Sequence, residues 1–291
     1  MNQAASELLE QLNRNSTPYQ DPLVRVDWEA LSFDRFWLPE PALSLHGLPE
    51  FDRLDLDIRL ALSRYEFIHF IEGALWLESL FMERIARAAA RPEADLTRAS
   101  YRLHELREEA GHSLMFLELM RRSRLPLPRT RFRRANLANL IGRHAPFESP
   151  LFWIAVLIGE EVPDRMNRLI RKHRDDICPT IHDIITLHVM DEARHMAHAR
   201  ETVTGSLDGI PPWLRRVYRP IYRPMMNRVF GQFVEAFYYP PARVYELAGL
   251  TPGKRWARRA WDNPQRTAFV RECVSPALRL LADNGLTLGW R

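Results

Sequence analysis

An all-α fold is what this sequence predicts, and three observations carry the prediction. Apolar residues recur at helical spacing over four long stretches. The gaps between those stretches hold prolines, which stop helices. No stretch alternates in the β manner, and no glycine-rich phosphate loop or low-complexity tract interrupts the pattern.

The elements follow in order. The first fifty residues are rich in proline and turn formers and read as an irregular arm on the outside of the core. From about Leu54 the pattern becomes helical and free of proline up to the break RPEAD. A second helix, LTRASYRLHELREEAGHSLMFLELMRRS, ends at the prolines of RLPLP. Residues 129–150 are basic and read as a connection that crosses the bundle. The third helix runs through LFWIAVLIGEEVPDRMNRLIRKH, DDICPT breaks the chain, and the fourth is IHDIITLHVMDEARHMAHARETVTG, with Gly205 as its stop. Two more helices are expected, around Met225–Tyr239 and Thr267–Asn284. The 291 residues read as a single domain with core helices over residues 55–204.

Composition narrows the class. Hydrophobic residues make up 46% and charged residues 27%, as in ordinary globular proteins, so the chain can bury a core without staples. Its two cysteines, Cys178 and Cys273, lie far apart, which excludes a thiolate zinc site and a disulfide framework and fits a reducing cytoplasm. The N-terminus lacks the pattern of a signal peptide, and the longest strongly apolar run, Leu151 to Gly159, is too short to span a bilayer. A cytoplasmic protein with no membrane partner is therefore expected. The net charge of +4 is spread along the chain apart from short clusters near Arg131 and Arg258, a weak case for nucleic acid, and none is expected.

Chemistry concentrates at two stretches, Glu108-Glu109-Ala110-Gly111-His112 and Asp191-Glu192-Ala193-Arg194-His195. Each contains a Glu-x-x-His, which puts carboxylate and imidazole on one helix face, one turn apart. Two such helices, plus two that give one glutamate each, are the ligand pattern of ferritin-like di-iron bundles. In an antiparallel hairpin, residues at equal height lie equally far from the loop. Glu78 matches Glu109 and Glu161 matches Glu192, each pair 31 residues apart. Glu72 and Glu160 are the competing choices, Glu160 missing by a single residue. Glu108 and Asp191 are placed to accept the outer N–H of a metal-bound histidine across the bundle, Glu108 from His195 and Asp191 from His112; exposed helix charges paired with arginines are the alternative. His188 shares a face with Glu192 and His195 and joins the metal set. His198, His104, His69 and His182 are assigned to packing or surface. Trp76, Leu75, Phe81, Met115 and Phe116 lie near the proposed ligands, as pocket wall or plain core.

At these residues a resemblance becomes specific. The EExxH and DExRH pair resembles the bacterial multicomponent monooxygenases and other ferritin-like di-iron carboxylate proteins. His188-xxx-Glu192-xx-His195 resembles a narrower group, the di-iron arylamine N-oxygenases typified by p-aminobenzoate N-oxygenase. The resemblance covers residues 55–204 and implies a ferritin-like four-helix core with additional helices. It implies two Fe ions, cycling between Fe2+ and Fe3+, held by Glu78, Glu109, His112, Glu161, His188, Glu192 and His195; the same ligands also bind manganese. It further implies a small-molecule substrate, O2 and an external electron donor, with a peroxo intermediate oxidising an arylamine nitrogen. No catalytic side chain beyond the metal ligands is assigned.

Other chemistries suit the same ligands. The same ligands serve C–H hydroxylation, desaturation or oxidative cleavage, because substrate choice lives in the pocket. A ferroxidase or iron-storage role suits the site, though the long C-terminal part argues against it. A helical interaction protein without metal would leave the matched spacing to coincidence. The stretch from Trp213 to Tyr245 is left among three roles: cap of the pocket, holder of an acidic group, or surface of a homodimer.

Overall fold

The computed structural model describes residues 3–90, 95–129, 136–208 and 212–290, the side chains of 208–219 excepted. The described residues are overwhelmingly helical, and among them the only β pairing is one isolated bridge between Phe36 and Ile177. The core helices are α4 (Leu56–Ala89), α5 (Leu96–Ser123), α7 (Pro150–Lys172) and α8 (Pro179–Asp208). Helix α6 (Leu137–His144) lies in the connection between the two hairpins. Helices α9 (Pro212–Tyr238), α10 (Ala242–Leu247), α11 (Gly253–Trp261) and α12 (Pro264–Asp283) complete the C-terminal part. No described helix is long and apolar enough to cross a membrane.

Local chemistry accounts for the helix ends. Asp95 caps α5 by accepting from the Arg98 N–H, and Ser149 caps α7 by accepting from the Phe152 N–H, with Pro150 at the first helical position. Helix α5 stops at Arg124, which takes a left-handed conformation (φ 54°) just before the Leu125–Pro128 run. Gly205, expected to close the fourth helix, lies inside α8 instead, which runs on to Asp208. A lone glycine costs a helix only about 1 kcal/mol against alanine, too little to end one. The break RPEAD and the start of the basic connection fall mostly outside the described residues.

The core pairs α4 with α5 and α7 with α8, and brings α5 against α8. That last contact matters most, since α5 and α8 carry the two Glu-x-x-His motifs. One large apolar cluster fills the interior, with Trp37, Phe67, Phe116, Trp153 and Phe230 essentially inaccessible.

The N-terminal region differs from an irregular arm. It opens with α1 (Gln3–Ser16), followed by the short helices α2 (Pro22–Arg25) and α3 (Pro49–Asp52). Helix α1 buries Leu9 and Leu12 against Tyr101 of α5. Its sequence, QAASELLEQLNRNS, has no proline and spaces its leucines for one face; the prolines begin only at Pro18. The remainder does wrap the outside of the core. Trp37 is clamped there through its backbone N–H to Ser63 Oγ (2.8 Å) and its indole N–H to the Ser32 carbonyl (2.9 Å).

Candidate metal centre

Helices α5 and α8 each present a carboxylate and an imidazole one turn apart, and the bundle aims both pairs at one interior point. His195 Nδ1 lies 3.0 Å from Glu109 Oε1 and 3.3 Å from Glu192 Oε2. His112 Nδ1 lies 3.3 Å from Glu192 Oε1 and 3.7 Å from Glu109 Oε2. Helix α4 adds Glu78, and the extra histidine on α8, His188, places Nε2 3.6 Å from Glu78 Oε1 and 3.2 Å from Glu192 Oε1. Two sets of ligand atoms each fit within 4.8 Å: Glu78, His112 and His188, and Glu109, His112 and Glu192.

Glu161 is the exception. It turns away from this point and receives two N–H groups of Arg200, one at 2.8 Å. The neighbouring Glu160 takes its place, sharing a cavity wall with Glu78, His188 and Glu192. The equal-height argument fixes axial position but not rotation, and one residue on a helix is a turn of about 100°. The Glu78–Glu72 alternative goes the other way. Glu78 is in the cluster, its second oxygen held by Ser113 Oγ at 2.6 Å, whereas Glu72 accepts the Arg129 N–H at 3.0 Å.

The outer partners of the histidines stand where the motif places them. His195 Nε2 meets Glu108 Oε2 at 2.9 Å, and His112 Nε2 meets Asp191 Oδ2 at 3.1 Å. Each imidazole therefore turns Nδ1 inward and is oriented from behind by a carboxylate, the arrangement that metal-binding histidines use. Arg194 joins the two outer carboxylates, with its Nη2 2.9 Å from Glu108 Oε1 and 2.7 Å from Asp191 Oδ1. Its Nε donates to Ser16 Oγ at the end of α1 (3.0 Å). Burial pushes the Asp191 carboxyl up, but His112 and Arg194 outweigh burial and hold it at about 2. Glu108 likewise stays below the usual range despite burial, through His195 and Arg194.

The inner groups are less well served. Glu78 Oε1, both oxygens of Glu109, Glu192 Oε2 and the Nδ1 atoms of His112 and His195 are buried without a hydrogen-bond partner. Burial, and then the charge of Glu192, push Glu160 well above the ordinary carboxylate range. Four carboxylates converge in a dry interior, where unpaired ions are costly. Two divalent cations would neutralise four such charges, and carboxylate with imidazole is a donor set suited to iron or manganese. The residues present thus fit a pair of metal ions.

The cavity beside the cluster is small, about 20 Å³, which is room for a water. Of the five residues read as pocket wall or plain core, Phe116 lines it and the others belong to the core or pack against it. Trp76 instead donates to Asn139 and packs on Phe233, Phe81 packs on Phe152 and Trp153, Met115 is core, and Leu75 packs against the core from the outside. Phe70, Phe237 and Asn167 form wall that sequence reasoning missed. Phe237 belongs to the aromatic stretch 213–245, which therefore contributes to the pocket. Of the four histidines assigned to packing or surface, His198 and His69 are buried, and His198 bonds Glu105 at 2.9 Å.

A helical bundle with Glu-x-x-His pairs on facing helices and carboxylates opposite defines the ferritin-like di-iron class. The chain belongs to the family described as p-aminobenzoate N-oxygenase AurF, whose pattern it matches over residues 1–285. It is also similar to uncharacterized proteins of Mycobacterium bovis and Mycobacterium tuberculosis. Each is 23% identical over 280 residues, which cover 94% of this chain and 80% of theirs. The family supports an oxidoreductase of the oxygenase type.

Proposed function

We propose that this protein is a di-iron oxygenase that uses O2 to oxidise the nitrogen of an arylamine, and that Glu78, Glu109, His112, Glu160, His188, Glu192 and His195 hold its two iron ions. Glu160 replaces Glu161 in this set. One observation carries the reading: the buried carboxylates Glu78, Glu109 and Glu192 and the imidazoles of His112, His188 and His195 approach one another within 3.7 Å, with Glu160 on the wall of the adjoining cavity, while most of their inner atoms lack hydrogen-bond partners. When bound, the irons supply the electrons that reduce dioxygen, drawn in turn from an external donor.

The chain's own part is positional. Glu108 and Asp191 keep the Nδ1 atoms of His195 and His112 turned inward, and Arg194 keeps both carboxylates charged and in place. Ser113 holds the outer oxygen of Glu78, so the inner one is left to the cluster. Phe70, Phe116 and Phe237 give an aromatic substrate apolar surface. His188 is the residue that distinguishes this cluster from one with only two histidines.

The test is elemental analysis after anaerobic Fe(II) loading, followed by exposure of an aniline series to O2 and a reductant. Two irons per chain, and conversion of aniline nitrogen to hydroxylamine or nitro products, are expected. Absence of transition metal after loading would sink the reading. Iron without nitrogen oxidation would move the activity to C–H chemistry.

A further inference from the structure

We infer that Asn167 determines substrate specificity by hydrogen-bonding a neutral polar group at the end of the substrate remote from its reacting nitrogen. The inference rests on the N-oxygenase reading above and narrows its substrate class.

Asn167 is 3% exposed, and its Oδ1 is buried without a hydrogen-bond partner. It lines the same cavity as Glu78, Glu160, His188 and Glu192. The orphaned atoms of the cluster are accounted for by metal ions; that of Asn167 is not. It stands seven residues beyond Glu160 on α7, two turns and about 10 Å along the axis, too far to share an ion with the cluster. A buried amide oxygen without a partner is an unmet demand, and in a cavity wall the natural partner is a ligand.

The span sets the size of that ligand. The two-turn separation of Glu160 and Asn167 suits a ligand about one para-substituted benzene ring long, and Phe70, Phe116 and Phe237 line the same cavity. The three rings must swing aside to admit it, since the closed cavity holds little more than a water. The chemistry of a carboxamide sets the polar group. It offers one acceptor and two donors, so a hydroxyl or carboxamide on the ring satisfies it and a methyl does not. A carboxylate has no proton to give Oδ1, and even accepting from the Asn167 amide N–H it would be buried with no lysine or arginine in the described lining to neutralise it. The preferred substrate is therefore an arylamine with an uncharged hydrogen-bonding substituent para to the amine.

The experiment is calorimetric binding under anaerobic conditions to the iron-loaded protein, with three probes: 4-aminobenzamide, 4-methylaniline and 4-aminobenzoate. Wild type, Asn167→Leu and Asn167→Ala are compared, with iron content and helical circular dichroism measured for each. In wild type, 4-aminobenzamide should bind about tenfold tighter than 4-methylaniline, the worth of one satisfied neutral hydrogen bond, and tighter than 4-aminobenzoate. Both variants should lose that tenfold while keeping two irons and binding 4-methylaniline as before. A preference for the amide that persists in both variants overturns the inference and leaves the di-iron reading standing. Tighter binding of the carboxylate by wild type overturns it equally. Failure of the iron-loaded wild type to bind any of the three overturns the inference together with the arylamine reading.

Discussion

Two adjacent glutamates on α7 have opposite surroundings. Glu160 shares the wall of a small cavity with three ionisable groups of the cluster, and Glu161 faces the guanidinium of Arg200. Glu160→Gln should reduce bound iron from two toward one with little change in helical content. Glu161→Gln should keep both irons and lower the melting temperature, because Arg200 loses its partner. Elemental analysis beside a thermal scan separates the two, and equal iron loss in both would refute the assignment. At the outer carboxylates, Asp191→Asn should weaken iron binding by roughly 10- to 100-fold, the usual effect of removing the group behind a ligating histidine; competition with a chelator reads it. Of the seven residues that the sequence points to as ligands, the six on α4, α5 and α8 converge. Those residues were legible because Glu-x-x-His fixes both height and rotation on a helix, and His188 inherits the same face. Glu161 was not legible because one helix contributes a single ligand, which leaves rotation free. Arg200 on the facing helix was the available signal.

Gly111 shows how an element outside the core reaches the helix that carries Glu109 and His112. A Cβ there would lie 2.5 Å from the Tyr19 hydroxyl and 3.2 Å from Pro22 Cγ, so Tyr19 must shift to admit a side chain at this position. Tyr19 is itself held beneath Arg107, whose guanidinium sits 4.3 Å from the ring centre. Gly111→Ala should destabilise the protein by about 1–3 kcal/mol through overpacking, and Tyr19→Phe in the same chain should recover part of that. Denaturant melts of the single and double variants check the coupling, and strict additivity would contradict it. The core helices were legible from periodicity, and their ends from caps and prolines. Helix α1 was not, because the prolines from Pro18 onward dominate the pattern of the first fifty residues, although Leu9 and Leu12 mark a buried face. The C-terminal helices α10 and α11 are six and nine residues long, too short for periodicity to register.

At the scale of the whole molecule, the bundle encloses a cluster whose unpaired inner atoms oppose folding, a cost that bound cations would offset. Metal that binds only the folded chain adds stability as RT ln(1 + [M]/Kd), about 2.7 kcal/mol when free metal is a hundred times Kd. Fe(II) loading should therefore raise the melting temperature by several degrees, and Glu192→Ala should abolish most of that rise. Differential scanning calorimetry with and without chelator measures it, and a melting point indifferent to metal would deny that the cluster binds it. A second consequence comes from Arg194, which ties Glu108 and Asp191 on one side to Ser16 on the other. The final turn of α1 is thereby leashed to the carboxylates that steady the histidines, so it should act as a gauge of occupancy readable from outside. Amide hydrogen exchange around residues 13–16 should slow on iron loading and quicken when the iron is stripped. A surface turn would then announce whether the interior is armed.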